Sequence, residues 1–224
     1  MCKHIFLALF LTNVSIVVLS QDTAWQQIAN AKDDTLKVIA LAKYAYSLRD
    51  TSTVKSLEAY QHLIDLSEKL KYPYWTGMAW FNIGYINASS ANDKQAIENY
   101  RTAIPYFKEV NKTYYVAACL LNLGSCSERI GDVNTRISTT MEAIQMLQNT
   151  EHQSLLSHSY NSLAVMFFNL DNFKKSIEYN QKALAIARAI KDTTEMVQSL
   201  SILSVCMGST NHFDSAFSPM LPGH

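Results

Sequence analysis

Histidine, cysteine, serine and carboxylate side chains are the groups in this sequence that could do chemistry, and none of them falls in a pattern typical of catalysis. The phosphate-binding pattern G-x-x-x-x-G-K, the zinc pattern H-E-x-x-H, the nucleophile pattern G-x-S-x-G and a paired C-x-x-C do not occur. The sequence therefore predicts no enzyme, no catalytic residue and no cofactor.

The histidines and cysteines are also poorly placed to hold a metal ion. His152 and His158 are six residues apart, and positions six apart do not share a helix face. Cys119 and Cys126 would lie roughly 10 Å apart on one helix, which is too far for a disulfide. Together with Cys206 they are expected to be small buried thiols, so no metal site is predicted.

Composition limits the class of protein. The chain has 224 residues, of which 48% are hydrophobic and 17% charged, so it can build a core and is not disordered over most of its length. Six glycines and four prolines are too few for an all-β protein with many tight turns. Nineteen basic residues balance nineteen acidic ones, which gives no support for a nucleic-acid partner.

The first twenty residues resemble an export signal. Lys3 precedes a mostly apolar run over 5–19, and Val18 and Ser20 suit cleavage before Gln21. Residues 1–20 are therefore predicted to be a signal peptide, followed by an N-terminal lead-in over 21–33. Retention as an uncleaved anchor is the alternative. The rest of the chain is expected to be exported, periplasmic or otherwise extracytoplasmic, and not inserted in the membrane.

A forty-residue period runs through the remaining sequence. A small residue recurs at Gly84, Gly124, Ala164 and Ser204, and a second series comprises Ala103, Ala143 and Ala183. Residues that favour a helix N-cap recur between them, at Asn92, Asp132 and Asn172. A fixed period of this length is typical of a solenoid whose units stack to cover their apolar faces.

Each unit is predicted to contain two helices. In the best-formed unit one apolar stripe follows helical spacing until Asp171 ends it, and a second begins at Phe173. The first stripe comprises Leu156, Tyr160, Leu163, Phe167 and Leu170. Small residues at 164 and 183 would let the two helices approach closely.

These residues resemble the tetratricopeptide repeat family. The resemblance spans 34–218, with units at 34–72, 73–112, 113–152, 153–192 and 193–218 and a frayed or truncated tail at 219–224. It implies an all-α fold, a right-handed superhelical solenoid of about five antiparallel helix pairs. The matching structural positions are Ile83, Gly84, Ala96, Tyr100, Ala103, Leu123, Gly124, Ala143, Leu163, Ala164, Phe167 and Ala183.

Two features depart from the family pattern. The period is forty residues, whereas thirty-four is the commonest length in the family. Arg136, Thr140 and Asn180 stand where the family usually has small or aromatic residues. The second helix of the third unit is therefore expected to be the least regular, with loose local packing.

A narrower resemblance concerns the kind of protein that carries such repeats. An export signal followed by forty-residue repeats is similar to the extracytoplasmic sensor regions of Bacteroidetes histidine kinases and regulators. Pro219 and Pro222 would stop a helix begun at Phe213, so the last unit lacks its usual cap. A truncated reading frame or fragment and a frayed natural end are both consistent with this pattern.

The resemblance also implies where a partner binds. In this family the first helix of each pair lines a concave groove that holds a peptide. Residues two before and two after the packed stripe are predicted to face it. These are Phe81, Tyr85, Leu121, Ser125, Glu128, His158, Asn161, Val165 and Phe168, with Ser201 and Val205 in the last unit. Chaperone-binding members of the family hold the C-terminal carboxylate of a peptide with a cluster of Lys, Arg and Asn in the groove. Such a carboxylate clamp is not predicted here, because the positions that would need basic residues hold Met78, Ala118, His158 and Ser162.

Two functions remain open from sequence. One is a non-catalytic protein- or peptide-binding module that forms the sensing part of a signal-transduction protein. The other is a stand-alone exported scaffold or adaptor for envelope protein complexes. Both place a protein or peptide partner in the groove, and neither involves nucleic acid.

Overall fold

Ten α-helices make up the part of the chain described by the computed structural model, residues 23–210, with side chains described up to 208. This range contains no strand, so the prediction of an all-α fold is confirmed. The signal peptide predicted at 1–20, the tail at 219–224 and any second helix of the last unit lie outside the described residues. The helices are α1 (23–30), α2 (Thr35–Leu48), α3 (Thr53–Lys69), α4 (Pro73–Ser89), α5 (Asp93–Glu109), α6 (Thr113–Arg129), α7 (Val133–Leu147), α8 (Gln153–Asn169), α9 (Phe173–Ile190) and α10 (Thr193–Thr210).

Helix starts follow the period of the sequence. The first helices of successive pairs begin at Pro73, Thr113, Gln153 and Thr193, each forty residues after the last. The second helices α5, α7 and α9 keep the same interval. Only α2 departs, since it begins at Thr35 and not at residue 33, where the period would place it.

Most helices end in the same turn, built around one residue in the left-handed conformation. These residues are Lys71, Ala91, Asn111, Gly131, Asp171 and Lys191, each with a φ between 54° and 90°. The next N–H then bonds to a carbonyl five residues back, as from Asn172 to Phe167 at 2.8 Å. This is the Schellman arrangement, which satisfies carbonyl groups left free at a helix end. Helix α7 lacks it, and at 15 residues it is two shorter than α5.

Two of the three predicted N-caps form. The Asp132 side chain accepts a hydrogen bond from the Thr135 N–H at 3.0 Å, and Asn172 accepts one from the Lys175 N–H at 3.2 Å. Asn92 occupies the N-cap of α5, but its side chain makes no capping hydrogen bond. The type of residue predicted the position of the helix start at all three sites, while the side-chain bond formed at two.

The repeated small residues allow close approach of paired helices. A Cβ atom on Gly84 would lie 3.0 Å from the Tyr100 ring, and one on Gly124 would lie 2.5 Å from Thr139 Oγ1. The second series of small residues is fully buried as well, at Ala103, Ala143 and Ala183. Backbones packed this closely leave no room for a larger side chain.

The polar residues that depart from the repeat pattern are buried. Arg136 Nη1 donates to the Leu121 carbonyl and to Ser125 Oγ, both at 2.6 Å, and burial lowers the pKa of its guanidinium. The Thr140 hydroxyl donates to the Arg136 carbonyl at 2.8 Å. The second helix of the third unit is therefore formed, and α7 is held to α6 by hydrogen bonds as well as by apolar packing.

Stacking places the first helices in one layer and the second helices in another. Neighbouring first helices touch each other at α2–α4, α4–α6 and α8–α10. Between second helices, contacts of similar extent are not found in the described part of the chain. The closer spacing lies on the first-helix side, so the solenoid curves toward it and makes this face the groove.

Candidate peptide-binding groove

The predicted groove residues differ in how much surface they offer. Tyr85 and Val165 are 42% and 41% exposed. Glu128 and His158 are exposed as well, while Phe81, Ser125 and Phe168 are half-buried. Leu121 and Asn161 are buried, at 6% and 4% exposure. Seven of the nine residues are thus accessible to a partner.

Leu121 and Asn161 occupy equivalent positions forty residues apart, and the solenoid covers both. Leu121 belongs to the central apolar core. Phe81, the equivalent residue one unit earlier, packs edge-on against the rings of Tyr100 and Tyr115. This series of positions therefore faces neighbouring helices more than the groove. The expectation that Leu121 and Asn161 present a binding surface is corrected by their burial.

Asn161 instead joins α8 to α10 through a polar network. Its amide donates to Glu195 Oε2 at 2.5 Å and its carbonyl oxygen accepts from the Ser199 hydroxyl at 2.9 Å. His158 Nδ1 lies 3.2 Å from the other oxygen of Glu195. Both Glu195 and Ser199 are buried. A buried polar group left without a partner lowers stability, so this network favours one position of α10 on α8.

A shallow apolar hollow lies in the groove between α8 and α10. Its volume is about 330 Å³. No charged side chain lines it. The lining residues are Val165, Phe168, Asn169, Ser201, Ile202 and Val205. We call it the apolar hollow, and it brings together four residues that the sequence nominated for the groove: Val165, Phe168, Ser201 and Val205.

A second hollow, of about 290 Å³, lies between α4 and α6. Its surface is aromatic and polar. The lining residues are Tyr85, Ala88, Ser89, Tyr100, Asn122, Ser125, Cys126 and Arg129. We call it the polar hollow. Tyr85 and Ser125 were nominated from sequence, whereas Asn122 and Arg129 were not among the predicted groove residues.

Arg129 is oriented by an acid at the start of α5. Its Nε and Nη2 atoms contact the Asp93 carboxylate, at 2.9 Å from Nε and 2.5 Å from Nη2 to Oδ1. This contact lowers the pKa of Asp93, and it raises the pKa of Arg129. The Arg129 side chain remains 47% exposed. One edge of the guanidinium is therefore held while the rest stays available at the hollow.

Tyr85 is held by a second arginine. The Arg49 guanidinium carbon lies 4.7 Å from the centre of the Tyr85 ring and 4.6 Å from that of Tyr46. Such cation–π contacts fix aromatic rings at partly exposed sites. Arg49 thus links α2 to α4 and orients the Tyr85 ring at the mouth of the polar hollow.

All three cysteine side chains are buried, and Cys126 also borders the polar hollow. Cys119, Cys126 and Cys206 are not in disulfides, and their burial confirms the prediction of small buried thiols. Burial raises the pKa of Cys119 and of Cys126, which makes both poor nucleophiles near neutral pH. Over residues 23–208, no three metal-ligating side chains cluster closely enough to hold an ion, and none of the described helices is both long and apolar enough to cross a bilayer.

Some lining residues of the hollows were absent from the sequence prediction, although they recur at a fixed spacing that could have identified them. Asn122 and Ile202 are eighty residues apart, as are Tyr85 and Val165, and Ser125 and Val205. Each pair lies at the same place in its unit, and each pair has one member in each hollow. Extending the prediction to the residue directly before each stripe residue, Leu123 and Leu203, would have included both Asn122 and Ile202.

Similarity to known proteins agrees with this fold. A tetratricopeptide repeat family model matches residues 157–190. No curated protein shows significant sequence similarity to the chain.

Solved structures resemble it over most of its length. BtubC from P. vanneervenii superposes with a TM-score of 0.75 at 16% identity, covering 91% of this chain and 85% of that one. A Rap protein complexed with Competence and Sporulation Factor gives a TM-score of 0.66 at 16% identity, covering 92% of this chain and 62% of that one. A signal-transduction ATPase with a tetratricopeptide repeat sensor, from Pyrococcus horikoshii, gives 0.68 at 17% identity, with coverages of 88% and 32%.

Several of these proteins are much longer than this chain. It spans about half of RapI and of aspartyl phosphate phosphatase F from Bacillus subtilis, at 51% and 48% of their lengths. At these identities the likeness concerns the fold. The chain carries a tetratricopeptide repeat at 157–190 within a helical repeat solenoid of about five units, a fold that generally serves as a protein-interaction scaffold.

Proposed function

We propose that this chain is a non-catalytic protein- or peptide-binding module whose partner lies in the groove formed by the first helices. The observation that carries the proposal is the pair of hollows on that face, lined by accessible aromatic, apolar and hydrogen-bonding side chains. Concave sites with a few apolar anchors and convergent polar groups are typical of peptide recognition. The complex of a Rap protein with Competence and Sporulation Factor offers a precedent for binding by a similar fold.

The proposal is tested by binding of displayed random dodecapeptides to the purified protein and to two matched valine variants. Val165→Glu places a charge in the apolar hollow, whereas Val54→Glu places one on α3, where Val54 is 68% exposed. We expect the first to weaken binding of the selected peptides by about tenfold or more and the second to leave it unchanged. Equal binding by all three proteins would show that the groove is not the site.

We further propose that this module forms the extracytoplasmic sensing part of a signal-transduction protein. The apolar run at 5–19 with a small-residue cleavage site supports export, and the sensor named in the Pyrococcus horikoshii protein is a precedent for sensing by such repeats. Expression in a secreting bacterial host should yield a product whose N-terminal residue is Gln21. A product that retains Met1 and stays in the cytoplasm would contradict export.

A further inference from the structure

The two hollows lie at the same position of the repeat, two units apart, but side chains of different polarity line them. Tyr85, Asn122 and Ser125 in the polar hollow correspond, eighty residues on, to Val165, Ile202 and Val205 in the apolar hollow. Three hydrogen-bonding side chains are thus replaced by three aliphatic ones at the same depth of the same groove. A single ligand group could not satisfy both places.

The polar hollow is suited to a carboxylate. Arg129 keeps half of its side chain exposed beside the hollow while Asp93 holds one edge. The Asn122 amide is half-buried and has no hydrogen-bond partner among the described residues. Glu128, the nearest acid on α6, faces the Arg136 guanidinium at 3.7 Å. The guanidinium and the amide that line this hollow both supply N–H donors, which carboxylate oxygens accept.

The apolar hollow is suited to an uncharged side chain. Val165 and Val205 are 41% and 54% exposed, and Asn169 and Ser201 are the polar residues of its lining. A charged group placed here would lose hydration without gaining a partner, which is unfavourable. A leucine- or phenylalanine-sized side chain would instead bury apolar surface on both sides.

The distance between the two hollows sets how far apart two side chains of one peptide must be to enter both. The polar hollow lies between α4 and α6 and the apolar hollow between α8 and α10, two units further along. Taking the usual distance between packed helices, about 10 Å, for each step from one first helix to the next gives roughly 20 Å for two steps. An extended chain covers this distance with about six residues.

We propose that the groove recognises an extended peptide segment that carries an acidic side chain and a large apolar side chain about six residues apart. The acid is bound by Arg129 and Asn122, and the apolar side chain enters between Val165 and Val205. This inference rests on the proposed function, since it specifies the partner of the same groove.

The test uses the dodecapeptides selected on the unmodified protein, followed by synthetic versions of the best binder. Selected sequences should pair Asp or Glu with Leu, Ile, Met or Phe at a spacing of five to seven residues. Asn122→Ala should weaken binding of the acidic peptide about tenfold, but should change little for the peptide in which Gln replaces the acid. Val165→Glu should weaken binding of the acidic peptide and of its Gln version alike. A peptide in which Ser replaces the large apolar residue should bind the Val165→Glu variant and the unmodified protein equally.

Other outcomes would overturn the inference in distinguishable ways. One such outcome is that selected peptides depend on Val165 for binding without carrying the paired acidic and apolar side chains. That result would support a peptide-binding groove but contradict the partner proposed for it. If a chain ending at residue 210 bound the peptide about tenfold more tightly, residues 211–224 would be the natural occupant of the apolar hollow. A concentration-dependent dimer in light scattering, abolished by Val165→Glu, would identify a second copy as the occupant. Loss of all selection would reject the proposed function itself.

Discussion

Two buried asparagines, Asn161 and Asn180, show that the stability cost of burying a polar side chain depends on its hydrogen-bond partners and not on the residue type. Asn161 is paired with Glu195 and Ser199 through both ends of its amide. Asn180 is fully buried, yet neither of its amide atoms has a hydrogen-bond partner among the described residues. An unsatisfied buried amide costs about 1–3 kcal/mol, whereas a paired one does not.

Leucine substitution should therefore change stability in opposite directions at these two sites. Asn180→Leu is expected to raise the free energy of unfolding by about 1–2 kcal/mol, because it removes the unpaired polar atoms with little change in size. Asn161→Leu is the matched control and should lower it by about 1–3 kcal/mol, since Glu195 and Ser199 lose a partner. Urea denaturation measures both. Destabilisation by both substitutions to the same extent would contradict this account of Asn180.

At the scale of the helices, each unit depends on close approach within its pair. Gly124 on α6 faces Thr139 and Arg136 on α7, and an added Cβ would lie 3.1 Å from Arg136 Cδ as well as against the Thr139 hydroxyl. The conformation at Gly124 is ordinary helix, so the requirement for glycine there comes from the neighbouring helix and not from its own backbone.

Gly124→Ala should therefore destabilise the protein by about 1–3 kcal/mol through overpacking. The double variant Gly124→Ala with Thr139→Ala should recover much of this loss, because it removes the atom nearest to the new methyl group. Thermal unfolding followed by circular dichroism compares the two with Thr139→Ala alone. An additive result, with no recovery in the double variant, would rule out this contact as the cause.

At the scale of the whole molecule, the solenoid is a stack in which each unit contacts mainly its neighbours. The last described helix, α10, covers α9 through Leu184, Leu203 and Met207, and it is joined to α8 by the Asn161 network. The core of the middle units is formed by residues of α5 to α9 and does not include α10 residues. Stability in such arrays is approximately a sum over units and interfaces.

Deleting residues 193–224 should therefore leave the second to fourth units folded. We expect the helical circular dichroism signal per residue to be retained, with a lower melting temperature because Leu184 and the Asn161 amide lose their cover. A shortened chain ending at residue 210 serves as the control that keeps α10. Loss of most of the helical signal on deletion of 193–224 would make α10 part of the essential core.

The local architecture was predictable from the sequence because it depends on nearby residues. The forty-residue period, the small residues at Gly84 and Gly124 and the cap residues at Asp132 and Asn172 placed the helices and their turns in the observed positions. Helix periodicity and capping are set by neighbours along the chain, so one sequence is enough to predict them.

The tertiary structure decided which faces of those helices a partner can reach. Helical spacing treats Leu121 and Val165 alike as neighbours of the packed stripe, but stacking buries the first and leaves the second exposed. Likewise, Arg129 pairs with Asp93, 36 positions away, and Asn161 pairs with Glu195, 34 positions away. Spacing within one helix determines which residues share a face, whereas exposure depends on how the next unit packs against that face, and only the folded stack contains that information.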